Sequence, residues 1–334
     1  QRRDFQTFSI GFREPTFDEV PYSEMGPRHI ATRHRVEYLQ MDDSLIDYLV
    51  SRMDEPFGDS SLLPTYLLSQ ITRQDVTVSL SGDGGDEIFG GYDSYRALQM
   101  ARRIPGRLIR AVRPFVSLLP PSEKKLSWSF KIRKFVRDYH PNIIRRHLDW
   151  MSTFADSSRR ELLGERYIDS EEFLKAGTGK SLLYVQLQDI QNYLPEDILK
   201  KVDLASMLNS LEARVPFLDH RLVPLVLSLP DKYKIRYGKT KWLLKKAARP
   251  YLPSALINRP KRGFTVPVSR WIRESGLIAD FLTNRRYYQH EMLAYEYVQR
   301  LLAEHRGQRQ DHARPLWLIF VFNYWMYQHS HGGT

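Results

Sequence analysis

Cysteine is absent from this chain of 334 residues. Its absence excludes disulfide bonds, thiolate metal sites and a cysteine nucleophile. Long apolar runs are absent too, because the densest one, LWLIFVF at 316–322, is far shorter than the roughly 18–20 residues that a membrane helix needs. The first residues, QRRDFQTFSIGF, have the pattern of neither a signal peptide nor a transit peptide. These absences predict a cytoplasmic protein without a membrane span.

Strand patterns are scarce, and they lie within the first hundred residues. Three short runs have the character of buried strands: FQTFSIGF at 5–12, RVEYL at 35–39 and DVTVSL at 75–80. Helical stretches separate them, and such alternation is typical of a parallel α/β sheet. From about residue 95 onward, helical periodicity dominates. We therefore predict an α/β portion at 1–100, followed by a mostly α-helical portion at 101–334.

Acidic residues are scarce in the middle of the chain. The formal net charge is +11, and residues 101–150 contain thirteen Lys or Arg against three Asp or Glu. A surface of this kind can bind nucleic acid or another anionic partner. The basic residues alternate with apolar ones at helical spacing, as in KIRKFVR at 131–137, which is typical of amphipathic helices with solvated basic faces. We favour the second interpretation and do not expect nucleic acid as a partner.

One stretch is rich in both acids and glycines, SGDGGDEIFGGY at 81–92, directly after the third strand candidate. Ligands of open parallel sheets bind at the carboxyl ends of the strands, and small residues there let backbone N–H groups approach a phosphate. Several carboxylates beside a phosphate need a cation between them, and Mg²⁺ is the usual one. A glycine turn with acids in the first turn of a helix explains the same residues without a ligand. The small residues are Ser81, Gly82, Gly84 and Gly85, and the carboxylates are Asp83, Asp86 and Glu87.

Two further stretches carry unusual combinations of charge and proline. The first is LPEDILKKVDLASMLNSLEARVPFLDH at 194–220, where Pro216 and its charged neighbours are a poor choice for a plain helix end. The second is RPKRGFTVPVSRW at 259–271, a basic loop with a glycine and two prolines, Pro260 and Pro267. Lysine and arginine on a glycine loop suit a leaving polyphosphate.

Together these strings resemble the synthetase domain of glutamine-dependent asparagine synthetases. The resemblance covers nearly the whole chain, since DEPFGDSS at 54–61 and EHRGQRQDHARPLW at 304–317 also match. It implies a PP-loop fold, related to the adenine-nucleotide α-hydrolases. It also implies an ATP-dependent ligase that adenylates the side-chain carboxylate of aspartate, releases pyrophosphate and passes the acyl group to ammonia.

The resemblance assigns roles to individual residues, with ATP and Mg²⁺ as cofactors. Ser81, Gly82, Asp83 and Gly84 would cradle the nucleotide, Asp86 would bind Mg²⁺, and Asp83 would line the pocket beside the acyl-adenylate. Lys261 would stabilise charge on the pyrophosphate and the α-phosphate, Glu212 would orient or deprotonate the amine, and Ile10 would pack on the adenine. Aspartate and ammonia are the implied substrates, and the resemblance allows a homodimer. The acids Asp54, Glu55 and Asp59 are expected to cap and shape the pocket wall. Lys239 and Lys241 are expected to be solvated, with contact to phosphate as the alternative.

The sequence departs from the family pattern in several ways. A glutaminase domain with an N-terminal cysteine is absent, and so is the Ser-Gly-Gly-x-Asp-Ser phosphate loop that should follow a first strand. We therefore expect a fragment that starts after that loop and that alone releases no pyrophosphate from ATP. Without the central strand, 5–12 and 75–80 should pair directly, accept a segment from a second copy, or be poorly ordered. Pro27 also falls where the family has a helix, and it should break that helix.

Two other functions stay open at this point. A related carboxylate-adenylating enzyme could use another acceptor, as β-lactam synthetases do, although these have a tyrosine in place of Asp83. The presence of Asp83 therefore favours an amidotransferase. A function of a different class is a non-catalytic, basic helical scaffold that binds a partner through 101–150.

Overall fold

The structure is a computed structural model, and it describes residues 5–14, 17–40, 42–102, 104–117, 132, 135–136, 139–168, 181–259 and 266–331. Lys261, and most of the basic segment between 118 and 138, lie outside the described residues.

The strands form two small parallel sheets. In the first, β1 (Gln6–Phe12) pairs with β2 (Arg33–Leu39), with Ile10 opposite Glu37. In the second, β3 (Val78–Leu80) pairs with β4 (Glu212–Arg214), with Leu80 opposite Arg214. The chain is thus mixed α/β, mostly helical, with small parallel sheets.

Helices make up most of the remaining structure. The described helices are α1 (Val20–Ser23), α2 (Met25–Ile30), α3 (Asp43–Val50), α4 (Leu62–Asp75), α5 (Gly85–Phe89), α6 (Asp93–Ala101), α7 (Gly106–Ser117), α8 (Ile143–Met151), α9 (Asp156–Leu163), α10 (Leu182–Gln188), a π-helix (Asp189–Leu199), α11 (Lys200–Met207), α12 (Leu222–Ser228), α13 (Asp231–Lys234), α14 (Trp242–Ala248), α15 (Ser254–Ile257), α16 (Val268–Glu274), α17 (Gly276–Thr283), α18 (Tyr295–Arg306) and α19 (Ala313–His331). Short 3-10 turns lie at Gly164–Arg166, Pro216–Leu218 and Arg285–Tyr288. No helix in the described ranges has the length and apolar character needed to cross a membrane.

The three predicted strands are present, but β3 is not the buried strand that the sequence predicts, because Val78 and Leu80 are exposed. One of the three outcomes expected for 5–12 and 75–80 is also excluded. Direct pairing of 5–12 with 75–80 is wrong, because β1 pairs with β2 and β3 pairs with β4. The partner of β3 is a strand that the sequence did not predict. At three residues, β4 is too short to show an alternating apolar pattern. The hydrogen bond from the Ser81 N–H to the Arg214 carbonyl, at 2.9 Å, extends this pairing into the loop after β3.

The largest core joins residues from both ends of the chain. Ile10 of β1 and Leu49 of α3 belong to the same buried cluster as Trp271 of α16 and Phe320 of α19. Burial of this apolar surface, at roughly 25 cal/mol per Å², therefore ties the N-terminal strands to the C-terminal helices. The predicted division near residue 100 stays a prediction.

The sequence predicts that Pro27 breaks a helix, and the structure has two short helices, α1 and α2, separated at Glu24. The first helix ends at Ser23, and the second begins at Met25, so Pro27 is its third residue. The N–H groups of the first turn have no partner within a helix, so a proline there removes no helical hydrogen bond. The chain keeps its helical character on both sides of a short break.

Candidate active site

The glycine-rich loop lies between β3 and α5 and requires glycine at Gly84. This residue has φ +80°, in the left-handed region that favours glycine. A Cβ atom there would come within 2.3 Å of the Leu218 side chain. The 3-10 turn Pro216–Leu218 therefore packs against the loop, and Phe217 meets Phe89 of α5 edge to face at 5.8 Å. This contact explains why the proline-rich string at 194–220 accompanies the glycine loop.

The three carboxylates of the loop have three different surroundings. Asp83 accepts a hydrogen bond from the Ser81 hydroxyl at 2.6 Å. Asp86 forms an ion pair with Lys241, with 3.1 Å between Oδ1 and Nζ. Glu87 is buried and accepts a hydrogen bond from the Tyr92 hydroxyl. Each carboxylate thus interacts with a different partner, and these interactions offset the repulsion among the three negative charges.

The Asp86–Lys241 pair fits tightly against Gly91. A Cβ atom on Gly91 would lie 1.8 Å from Asp86 Oδ1 and 2.3 Å from Lys241 Cε. The Gly91 N–H also donates to the Asp86 carbonyl at 2.7 Å. The Asp86 side chain can therefore occupy this position only because residue 91 is a glycine, and the Gly91 N–H also fixes the Asp86 carbonyl. Lys241 itself has φ 52°, a conformation that non-glycine residues rarely adopt.

Glu87 is the most buried acid of the loop. Burial raises its pKa, and the negative charges of Asp86 and Asp189 raise it further, while the hydrogen bond from Tyr92 opposes them. A buried carboxyl with a raised pKa beside a cleft is often part of a functional site, although structural networks produce the same effect. Glu87 is only 1% exposed, so it anchors α5 to the interior and does not face a ligand.

A buried chain of hydrogen bonds supports the end of α5. The Gln186 side-chain amide donates to the carbonyls of Glu87, at 2.5 Å, and Ile88, at 3.0 Å. Its oxygen accepts from the Lys234 ammonium at 2.9 Å, and that ammonium also donates to the Leu227 carbonyl at 3.0 Å. Lys234 is 1% exposed, and burial lowers its pKa. The helix that carries Asp86 therefore rests on a buried cation.

Glu212 lies on the same small sheet as the loop. It is opposite Val78 in the register, and its carboxylate accepts from Arg214 Nε at 2.7 Å. Both side chains are more than half exposed. The β3–β4 pairing thus brings Glu212 and Arg214 to the strand that leads into Ser81.

The other two predicted contacts are placed differently. Ile10 lies in the first sheet, 5% exposed and part of the largest core, so its adenine contact stays a prediction. Lys261 lies outside the described residues, and its role stays a prediction too.

A second acidic cluster lies on the π-helix and the start of α4. Asp59 accepts from the backbone N–H and hydroxyl of Ser61, at 2.9 and 2.6 Å, and from Lys201 Nζ at 3.1 Å. Asp59 thus holds the turn that leads into α4, whose N-cap is Ser61 without a side-chain capping bond. Burial and the negative charge of Asp59 raise the pKa of Asp197 to about 6. Tyr193 lies between this cluster and the loop, with its ring 5.9 Å from that of Tyr92.

Comparison with known proteins identifies the family. The family model described as "Asparagine synthase" matches residues 1–327. The chain belongs to the asparagine synthase family. It is 29% identical over 338 residues to "Asparagine synthetase [glutamine-hydrolyzing] 1" of Bacillus subtilis (strain 168), covering 96% of this chain and 51% of that protein. It is 30% identical over 332 residues to "Putative asparagine synthetase [glutamine-hydrolyzing]" of Mycobacterium bovis, covering 96% of this chain and 50% of that protein.

More distant similarity extends to a protein with another name. The chain is 24% identical over 276 residues to "Amidase chry2" of Gibberella zeae, covering 72% of this chain and 41% of that protein. The chain spans about half the length of the first two curated relatives. The family resemblance found in the sequence is therefore confirmed.

Several residues of this asparagine synthase family site were not predicted from sequence. Gln186 and Lys234 support α5 from 95 or more positions away along the chain, so no local pattern indicates their contact. Glu87 was recognised as an acid of the loop, but not as a buried one. Lys241 was recognised only as a candidate phosphate contact, and its pairing with Asp86 emerges from the structure.

Proposed function

We propose that this chain is the synthetase portion of an ATP-dependent, asparagine synthase-type ligase. The observation that carries the proposal is the glycine loop of Ser81–Gly84, with the Asp86–Lys241 pair beside it, in a chain of this family. An oxygen of the aspartate side-chain carboxylate bonds to the α-phosphorus of ATP while the bond to the leaving pyrophosphate breaks. Ammonia then attacks the acyl carbon, and AMP leaves as the amide forms.

The loop supplies groups that suit the first step. Small residues at Gly82 and Gly84 let backbone N–H groups approach phosphate oxygens. Lys241 can donate to a phosphate while it stays close to Asp86, and Lys261 is proposed to do the same from the following basic loop. Donors aimed at developing charge lower the barrier because they need no reorganisation during the reaction.

The residues fit a Mg²⁺ ion that arrives with ATP. No group of three or more His, Asp or Glu side chains in the described residues could hold a metal on its own. Mg²⁺ is usually held by one or two carboxylates together with phosphate oxygens and water, so Asp86 is a sufficient protein ligand. When bound, the ion would neutralise charge on the phosphate oxygens.

Glu212 is the proposed acceptor of the proton that ammonia loses. Its position on β4, beside the strand that leads to Ser81, supports this role. Arg214 keeps the carboxylate oriented at 2.7 Å. The proton would pass from the attacking nitrogen to the Glu212 carboxylate as the carbon–nitrogen bond forms.

A related enzyme with another acceptor is the second candidate. The similarity to a fungal protein named as an amidase favours keeping it, because adenylation can serve different nucleophiles. Asp83, where β-lactam synthetases have tyrosine, favours ammonia.

The test uses the full-length gene product with ATP, Mg²⁺ and radiolabelled pyrophosphate. Exchange of label into ATP that depends on aspartate supports adenylation, and hydroxylamine should trap the activated acyl group as a hydroxamate. Exchange with another carboxylic acid, but not with aspartate, would favour the second candidate. We further propose a cytoplasmic location and a homodimer, and that the 334-residue chain alone does not release pyrophosphate.

A further inference from the structure

Helix α7 packs onto the protein through one of its sides. Ile109 and Val116 of this helix form a small buried cluster with Val136, and the Tyr139 ring packs against that cluster. A Cβ atom on Gly106 would lie 2.6 Å from the Tyr139 hydroxyl, so the first turn of α7 also lies directly against that ring. A limited core therefore holds the helix in place.

Another side of α7 carries a row of exposed apolar side chains. Leu108, Val112 and Phe115 are all exposed, Phe115 at 69%. Their spacing of four and then three residues puts them on one face of the helix, in a row about 10 Å long at 1.5 Å per residue. Exposed apolar residues that are scattered singly need no explanation, but a row on one face indicates a contact surface. We call these three residues the α7 ridge.

The sequence around the α7 ridge is basic and contains no acid. Residues 94–122 include six arginines and no Asp or Glu. Arg107 is exposed in the first turn of α7, and Arg102, just before the helix, is paired with Asp231 at 3.3 Å. Such an excess of positive charge attracts anionic surfaces. The occupant of the ridge should therefore be both anionic and apolar.

We propose that the α7 ridge inserts into the surface of an anionic lipid bilayer. A helix with Phe and Leu on one face and a surplus of basic residues is typical of helices that lie in the membrane interface, and each basic residue near anionic headgroups adds attraction. With twelve residues, α7 is too short to cross a bilayer, so the contact is with one leaflet. A protein partner fits less well, because a stable protein interface needs about 800 Å² on each side, more than three side chains supply. The inference does not depend on the proposed ligase activity.

The test is co-sedimentation of the 334-residue chain with lipid vesicles. One vesicle type is phosphatidylcholine alone, and the other contains equal amounts of phosphatidylcholine and anionic phosphatidylglycerol. The unaltered chain should bind the anionic vesicles at about 0.1 M salt and lose most of that binding at about 1 M salt, where charges are strongly screened. Leu108→Ser and Phe115→Ser should each weaken binding by about tenfold, the effect of removing one large apolar side chain from burial. Arg107→Gln should weaken it by about fivefold.

The matched control is Ile30→Ser in α2, because Ile30 and Leu108 are both 53% exposed. This variant should bind the vesicles as the unaltered chain does. Far-UV circular dichroism checks that each variant is folded, and Val112→Ser replaces a ridge variant that is not. No binding to the anionic vesicles, equal binding to both vesicle types, or equal losses in Leu108→Ser and Ile30→Ser would overturn the proposal.

Sedimentation velocity without lipid tests the alternative occupant, a second copy of the chain. Self-association that Phe115→Ser leaves unchanged agrees with a lipid surface as the occupant. A dimer that Phe115→Ser dissociates would assign the ridge to a protein interface and overturn the proposal.

Discussion

The buried contact between Gln186 and Lys234 makes a quantitative prediction about stability. Lys234→Met removes an ammonium that is 1% exposed and that donates to the Gln186 side chain and the Leu227 carbonyl. Gln186→Leu removes the donor to the Glu87 carbonyl and leaves the ammonium with one partner. The double variant removes both groups.

The expected magnitudes follow from what each change leaves unpaired. Lys234→Met leaves two buried acceptors without this donor, at about 1–3 kcal/mol each, but relieves the burial of a charge, so we expect a loss of about 2 kcal/mol. Gln186→Leu leaves a buried charge short of a partner, and such losses reach about 3–5 kcal/mol. The double variant should lose about as much as Gln186→Leu alone. The loss in the double variant should therefore fall short of the sum of the two single losses by about 2 kcal/mol.

The pH dependence has a definite sign. Because the folded-state pKa of Lys234 lies below the ordinary lysine value of 10.5, the unfolded chain binds more protons between those two values. Stability then rises with pH through that window. The loss caused by Lys234→Met should therefore grow as the pH approaches 10.5.

Urea denaturation followed by far-UV circular dichroism measures these values. Lys232→Met, a change in the same helix at an exposed position, is the matched control and should shift the free energy of unfolding by less than about 0.5 kcal/mol. Additive losses, or a Lys234→Met variant as stable as this control, would refute the reasoning.

Three further predictions concern single positions. Asp197→Asn should raise the free energy of unfolding at pH 7 by on the order of 2 kcal/mol, because the folded-state pKa of about 6 exceeds the ordinary 3.8; the gain should vanish below about pH 4, and urea titrations showing the same gain at both pH values would contradict it. In the full-length protein, Lys261→Ala should lower pyrophosphate exchange by about 10²–10³-fold, with Arg262→Ala milder, and near-normal exchange in Lys261→Ala would show that the pyrophosphate loop is misplaced. Gly91→Ala should displace the Asp86 carboxylate, since its Cβ would lie 1.8 Å from Oδ1; exchange should then need more Mg²⁺, while an unchanged Mg²⁺ dependence would refute the tight fit.

The sequence predicted well where the signal is local. Three short runs with strand character located β1 to β3, and the small residues after the third run located the loop, whereas the left-handed conformation of Gly84 emerges from the structure. The helix is interrupted at Glu24, three residues before Pro27, and Pro27 itself lies in the first turn of α2.

Contacts between distant parts of the chain could not be predicted in the same way. The partner of β3 is a three-residue strand 132 or more positions further along, and the partner of Asp86 is a lysine 155 positions away. Nothing in the neighbourhood of Asp86 indicates that lysine. Direct pairing of β1 with β3, one of the three expected outcomes, is excluded, and each strand pairs with a partner that its own sequence does not specify.

The most direct test of the central claim is pyrophosphate exchange in an Asp86→Asn variant of the full-length protein. Asp75→Asn, which alters an exposed aspartate paired with Arg35 at 3.3 Å, is the control. The account predicts exchange that requires aspartate and Mg²⁺ in the unaltered protein and in Asp75→Asn, and a loss of at least about 10²-fold in Asp86→Asn. Equal exchange in the two variants would contradict the assignment of the adenylation site to the loop around Asp86.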